Sequence, residues 1–160
     1  MEQKTKITAE PGRQELLVTR EFDLPAELVF RAHVEPEIFE QWMSHEYGTT
    51  KLLKIEPSKH GSWQFATTDG AGNVVFQAYG IFHEFIPNQK ITRSFEMENT
   101  PMPVQLEFME FEPLSDDRSK LTIHIVYKTV GHRDQMIQYG FGPGISKSHN
   151  RLEDIVRQLK

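Results

Sequence analysis

The spacing of hydrophobic residues changes along the chain and predicts a succession of secondary-structure elements. Apolar and polar residues alternate from Leu16 to Phe22, which indicates a β-strand with one buried face. After Pro25 the apolar residues recur at helical spacing until Glu35-Pro36 ends the helix, and a second short helix is predicted from about residue 36 to 42. We therefore expect the fold to open with one strand followed by two short helices.

From residue 50 onward the hydrophobic period is two, and turn residues separate the alternating segments. In the segment QLEFMEFE the apolar positions change parity between Phe108 and Met109, which predicts a β-bulge there. With the first strand, these segments predict a seven-stranded antiparallel sheet. The strands predicted in this region are 50–56, 62–68, 74–86, 90–98, 104–112 and 119–129.

The two ends of the chain differ in pattern. Residues 1–13 are polar and contain Pro11-Gly12, so we expect a flexible leader ahead of a single domain over residues 14–160. The tail from about residue 132 to 160 has helical spacing and predicts one long helix with an apolar stripe. The order of strand, two short helices, six strands and a long helix predicts an α+β fold with its helices on one side of one sheet.

Composition and charge exclude several classes of function. The chain has 160 residues and a formal net charge of -5 without a cluster of Lys and Arg, so no nucleic-acid partner is expected. No apolar segment has the length of a membrane span or the form of a signal peptide, which predicts a cytoplasmic protein. The sequence has no cysteine, and its seven histidines include no H-x-H or H-x-x-x-H pair and are interpreted as scattered surface residues. We therefore expect no metal, no cofactor and no catalytic residue.

The glycine-rich segment GFGPGISKS near the C-terminus resembles a phosphate-binding loop only superficially. Phe141 and Ser146 occupy the positions where a Walker A loop needs glycine, and no buried strand precedes the segment. Gly140 and Gly144 are four residues apart, so on one helix they would lie on the same face, where neither projects a side chain. Such a face either lets the sheet approach closely or leaves space beneath the helix.

Strand alternation predicts a large apolar and aromatic inner face of the sheet. Arg93 has the same parity as Phe95 and should point into this space or across its rim, with either a polar ligand group or an acidic residue at the sheet edge as its partner. Most carboxylates of the strands, and His124, are expected on the opposite face. The residues predicted to face inward are Trp63, Phe65, Phe76, Phe82, Phe95, Met97, Leu106, Phe108, Leu121, Ile123, Ile125 and Tyr127.

The long strand VVFQAYGIFHEFI carries apolar residues on both faces. Val75, Tyr79, Ile81 and Phe85 alternate with the inward set. Because a free sheet face does not need four such residues, a homodimer or a covering loop is predicted there.

Several phrases of the sequence resemble one superfamily. The superfamily is that of the START-like helix-grip proteins, also called SRPBCC. Its opening strand, Pro-initiated helix and following Trp are similar to the segment TREFDLPAELVFRAHVEPEIFEQWM. Its glycine-aromatic hairpin resembles HGSWQFATTDGAGN, and one of its strand pairs resembles YGIFHEFIPNQKITRSF. QMIQYGFGPGISKSHNRLEDIV resembles the C-terminal helix of the branch homologous to the activator of the heat-shock-protein-90 ATPase. The resemblance covers residues 15–160 and implies a helix-grip fold, in which a curved sheet wraps around the long helix and encloses an apolar cavity.

These observations predict a non-catalytic protein that binds a small apolar or aromatic molecule between the sheet and the C-terminal helix. A cyclase/aromatase-type enzyme using the same cavity is one alternative, although no proton carrier is evident. A cochaperone-like protein with a large partner is another, disfavoured because the chain lacks the separate N-terminal domain of such activators. The predicted ligand-binding residues are Trp42, Trp63, Phe65, Phe76, Phe82, Arg93, Phe95, Met97, Phe108, Met136, Tyr139, Gly140 and Gly144.

Overall fold

One antiparallel sheet and four helices make up the computed structural model, which describes residues 5–159. The strands are β1 (Lys6–Thr8), β2 (Glu15–Phe22), β3 (Thr49–Ile55), β4 (Ser62–Thr68), β5 (Val74–Ile86), β6 (Lys90–Met97), β7 (Gln105–Ser115) and β8 (Arg118–Val126). The helices are α1 (Ala26–Val34), α2 (Pro36–Met43), α3 (Val130–Gln138) and α4 (Phe141–Arg157). The strands lie in the order β1-β2-β8-β7-β6-β5-β4-β3 in a curved sheet, which confirms the predicted α+β helix-grip architecture. Among residues 5–159 no helix is both long and apolar enough to cross a membrane.

The two short helices begin and end where proline chemistry predicts. Pro25 precedes α1 in an extended conformation. Glu35 ends α1 because helical dihedral angles are unfavourable for a residue that precedes a proline. Pro36 then starts α2 at a first-turn position, where its missing N–H costs nothing. The indole of Trp42 donates a hydrogen bond of 2.7 Å to the carbonyl oxygen of Ala32, which fixes α2 against α1.

The sheet has eight strands rather than the predicted seven. The additional strand β1 lies within the predicted flexible leader, and Lys6, Ile7 and Thr8 pair with residues of β2. Three residues are too few to show alternation in the sequence, and their pairing depends on β2 and on the contact of Ile7 with the core. Residues 1–4 of that leader lie outside the described part of the chain.

The predicted bulge in β7 is wrong. Its pairing with β6 and β8 is continuous from residue 106 to 110, and inward positions fall on Gln105, Glu107 and Met109. Leu106 and Phe108 therefore point to the outer face, where the Phe108 ring lies 5.8 Å from that of His124. The apolar residues that suggested a change of parity pack on the outside of the sheet.

A bulge occurs instead in β5, between Phe82 and Glu84. This irregularity turns Phe85 toward the core, where its ring lies 5.5 Å from that of Phe30, contrary to its predicted outward position. Val75 and Ile81 remain outside and are 55% and 43% exposed. No segment among residues 5–159 covers them, so of the two predicted alternatives, a covering loop and a homodimer, we retain the homodimer.

The C-terminal tail forms two helices rather than one long helix. Gly140 has a left-handed conformation, with φ of 86°, and separates α3 from α4. Arg20 of β2 joins α4 to the sheet through the Glu153 carboxylate at 3.0 Å and the Asn150 side-chain oxygen at 2.7 Å. These contacts hold α4 across the concave side of the sheet, with a space left beneath its N-terminal half.

Candidate functional site

A cavity of about 310 Å³ lies between the sheet and the N-terminal half of α4. His33 and His149 are buried in its wall, whereas Gly144 is exposed and marks the opening. A Cβ atom placed on Gly144 would meet no atom within 4 Å. The helix therefore leaves the opening free of side chains at this position. The apolar wall consists of Trp42, Met43, Phe76, Phe95, Met97, Met109, Ile123, Ile125, Met136, Phe141 and Ile145.

An ion pair forms part of the cavity wall. Arg93 and Glu107 are direct partners on β6 and β7, and the Arg93 Nε donates a hydrogen bond of 2.8 Å to Glu107 Oε1. The Gln105 amide donates to the other carboxylate oxygen at 2.9 Å, and the guanidinium carbon lies 4.7 Å from the ring centre of Trp63. The two charged side chains are only 17% and 9% exposed, so each depends on the other for its charge balance.

Two buried histidines complete the wall. The Nδ1 of His33 lies 2.8 Å from the carbonyl oxygen of Val29, and the Nδ1 of His149 lies 2.8 Å from the hydroxyl of Thr5. Burial, with a smaller effect of Arg93 in the same direction, lowers the pKa of His33 to about 4 despite the opposing effect of its backbone hydrogen bond. Burial lowers the pKa of His149 to about 3, with smaller effects of His33 and Arg20 in the same direction. Both imidazoles are therefore neutral at pH 7.

The predicted site residues fall into three groups. Trp42, Phe76, Arg93, Phe95, Met97, Met136 and Gly144 line the cavity. Trp63, Phe65 and Phe82 are buried in the adjacent core, where the Trp63 ring lies 5.6 Å from that of Phe95. Phe108, Tyr139 and Gly140 lie outside the cavity wall.

Each of the three outlying residues has a structural reason for its place. Phe108 is on the outer face because β7 keeps its parity. Tyr139 follows the last residue of α3 and is 69% exposed. Gly140 is needed for its left-handed conformation rather than for space in one continuous helix, since any other residue would be strained there.

Sequence patterns do not predict the polar residues of the cavity wall. They place most strand carboxylates outside and the histidines on the surface, whereas Glu107, His33 and His149 are buried. Constant alternation through β7 would have placed Glu107 inward. His149 lies on the apolar stripe of the tail, which was the available indication that it is buried. Gln105 and Ser148 also line the cavity and had no indication in the sequence.

The site offers no evident metal-binding cluster. Among residues 5–159, no three side chains of His, Asp or Glu come together as ligands of one ion. Its chemistry is that of an apolar cavity with a few hydrogen-bonding groups. His124, in contrast, lies on the outer face as predicted, where its Nε2 is 2.7 Å from the Glu15 carboxylate.

A curved sheet with a helix across it and a cavity between the two defines a helix-grip protein. Solved structures with this fold include Ms6760 from Mycobacterium smegmatis, with a TM-score of 0.83 and 16% identity over 94% of this chain and 95% of that chain. Others are NE0264 from Nitrosomonas europaea, with a TM-score of 0.78 and 23% identity over 96% and 100%, and a protein from Staphylococcus epidermidis, with a TM-score of 0.81 and 21% identity over 96% and 95%. At these identities the likeness shows the fold alone.

Sequence comparison identifies the family. The profile described as "Activator of Hsp90 ATPase homolog 1-like protein" matches residues 23–157, and the chain belongs to this family. This confirms the resemblance noted in the sequence. No curated protein matches the chain.

Proposed function

We propose that the protein binds a small hydrophobic or aromatic molecule in the cavity between the sheet and α4. The observation that carries this proposal is the cavity of about 310 Å³, lined mainly by aromatic, methionine and isoleucine side chains and open at Gly144. A well-packed core leaves few spaces larger than a water molecule. A space of this size in the interior is therefore an exception to normal packing.

The size of the cavity limits the ligand. An apolar cavity of about 150 Å³ holds benzene in another protein, so about twice that volume has room for a molecule of two fused rings. Ligand sites begin near 300 Å³, and this one lies at the lower end of that range. Methionines at positions 43, 97, 109 and 136 give the wall adaptable side chains that suit ligands of varied shape.

Native mass spectrometry tests the proposal directly. Protein purified gently from its source should carry a bound small molecule, which denaturing conditions release. Titration of the purified protein with a fluorescent apolar probe should then show saturable binding at one site, with displacement of the probe by the released molecule. Absence of both a bound molecule and probe binding would contradict the proposal.

A cyclase/aromatase-type enzyme is the second candidate. His33 favours it, because its neutral imidazole faces the cavity beside Arg93 and has a pKa low enough to leave it unprotonated. Incubation of the released molecule with fresh protein tests this candidate. A change in its mass or chromatographic retention that depends on His33 would favour catalysis, and recovery of the unchanged molecule would favour simple binding.

A further inference from the structure

His33 and His149 line the same cavity, and the contact behind the His33 ring determines which of its two nitrogens carries the proton. The Nδ1 of His33 lies 2.8 Å from the backbone oxygen of Val29, and a carbonyl oxygen only accepts hydrogen bonds. Nδ1 of His33 must therefore carry the hydrogen. In the neutral ring, Nε2 is then left with a free lone pair and acts as an acceptor.

The remaining polar groups leave the cavity without net charge. Arg93 is balanced by Glu107, and burial keeps both imidazoles neutral at pH 7. Within residues 5–159, the Nε2 atom of His33 makes no hydrogen bond to the protein. The cavity wall therefore offers one acceptor that an apolar ligand would leave unsatisfied.

We propose that the ligand is an uncharged hydrophobic molecule with a hydroxyl group, a phenol or an alcohol, whose hydroxyl donates to His33 Nε2. A hydroxyl donates a hydrogen bond without carrying a charge. A hydrocarbon would leave the His33 Nε2 without a partner, and a carboxylate would bring an unbalanced charge beside an ion pair that is already complete. The inference rests on the proposed function, because it names the ligand class of the same cavity.

Ligands with one two-ring skeleton test the inference at pH 7. We expect 2-naphthol to bind about 5- to 100-fold more tightly than naphthalene, the range expected for satisfying buried polar groups, and 2-naphthoate to bind more weakly than 2-naphthol. The methyl ether of 2-naphthol, which accepts but cannot donate, should lose most of the advantage. Equal binding of naphthol and naphthalene would refute the inference and leave the proposed function standing. If none of the four binds, the proposed function itself is wrong.

Variants locate the hydroxyl. His33→Phe should remove the difference in affinity between 2-naphthol and naphthalene, because the variant lacks the acceptor nitrogen. His83→Phe is the matched control, because His83 is exposed on β5 and should change neither affinity. A naphthol affinity unchanged in folded His33→Phe protein would overturn the inference. Should the variants fail to fold, the methyl ether comparison uses the native protein and decides alone.

Nitrogen-15 NMR of the native protein reads the tautomers directly. We expect the proton on Nδ1 in His33, with neither buried ring positively charged at pH 7. Addition of 2-naphthol should shift the Nε2 resonance of His33, whereas the resonances of His83 should stay unchanged. A proton on Nε2 of His33, or no shift at that nitrogen, would refute the inference.

Discussion

Replacement of Gly144 by leucine is the sharpest test of the cavity as a binding site. Gly144 lies at the opening, and a first side-chain carbon there would meet no atom within 4 Å. Leucine adds four carbon atoms at this position, within reach of any molecule that enters. We therefore expect probe affinity to fall at least about tenfold, since the added side chain and the ligand compete for the same space.

The same replacement should not harm the fold. Leucine is a better helix former than glycine by about 0.6 to 0.8 kcal/mol, and no clash offsets this gain. In a chain of this length each kcal/mol corresponds to about 2–4 °C in Tm, so the variant should melt at the same temperature as the parent or about 1–3 °C higher. Thermal melts and titration with a fluorescent apolar probe measure the two effects separately.

Gly142→Leu is the matched control on the same helix. A Cβ atom at Gly142 would lie 3.2 Å from the terminal carbon of Ile7, so its side chain meets β1 rather than the opening of the cavity. This variant should lose about 1 kcal/mol or more of stability through overpacking and keep its probe affinity. A Gly144→Leu protein that is less stable but binds the probe normally would refute our account of Gly144.

Three further predictions concern charge, pH and assembly. Glu107→Leu should lower the free energy of unfolding by about 2–4 kcal/mol in urea titrations, because Arg93 loses its partner. Adding Arg93→Met to this variant should restore most of the lost stability, and additive losses of the two replacements would contradict the prediction. Because the folded-state pKa of His33, about 4, lies below the unfolded value of 6.5, its contribution to stability is present above pH 6.5 and is lost as pH falls toward 4, by up to about 1.4 kcal/mol per pH unit. His33→Phe should make urea-measured stability fall less steeply in that window, where His149 contributes a slope of the same sign, and an unchanged slope would contradict the prediction. Light scattering should show a dimer that Ile81→Glu converts to a monomer, whereas a monomeric parent would rule out the homodimer.

Local sequence patterns predicted most of the secondary structure because hydrophobic periodicity and proline positions act over a few residues. The two short helices, the alternation of β2 and the hairpins from β3 to β8 follow from such patterns. The inward direction of Arg93 followed from its parity with Phe95. Strand β1 and the break at Gly140 were missed, since one depends on pairing with β2 and the other on a single backbone conformation.

For the candidate site too, local patterns predicted some features and the tertiary structure decided others. Strand alternation predicted part of the aromatic wall, helical spacing predicted that Gly144 lies on the face of the helix toward the sheet, and the family followed from short phrases of sequence. Only the tertiary structure decided that Glu107 points inward, because the pairing of β7 with both neighbours determines its parity. It also brought His33 and His149 together from distant parts of the chain. Their neutral state at pH 7 depends on burial and on neighbouring charges such as Arg93 and Arg20, which are set by long-range packing that no local pattern encodes.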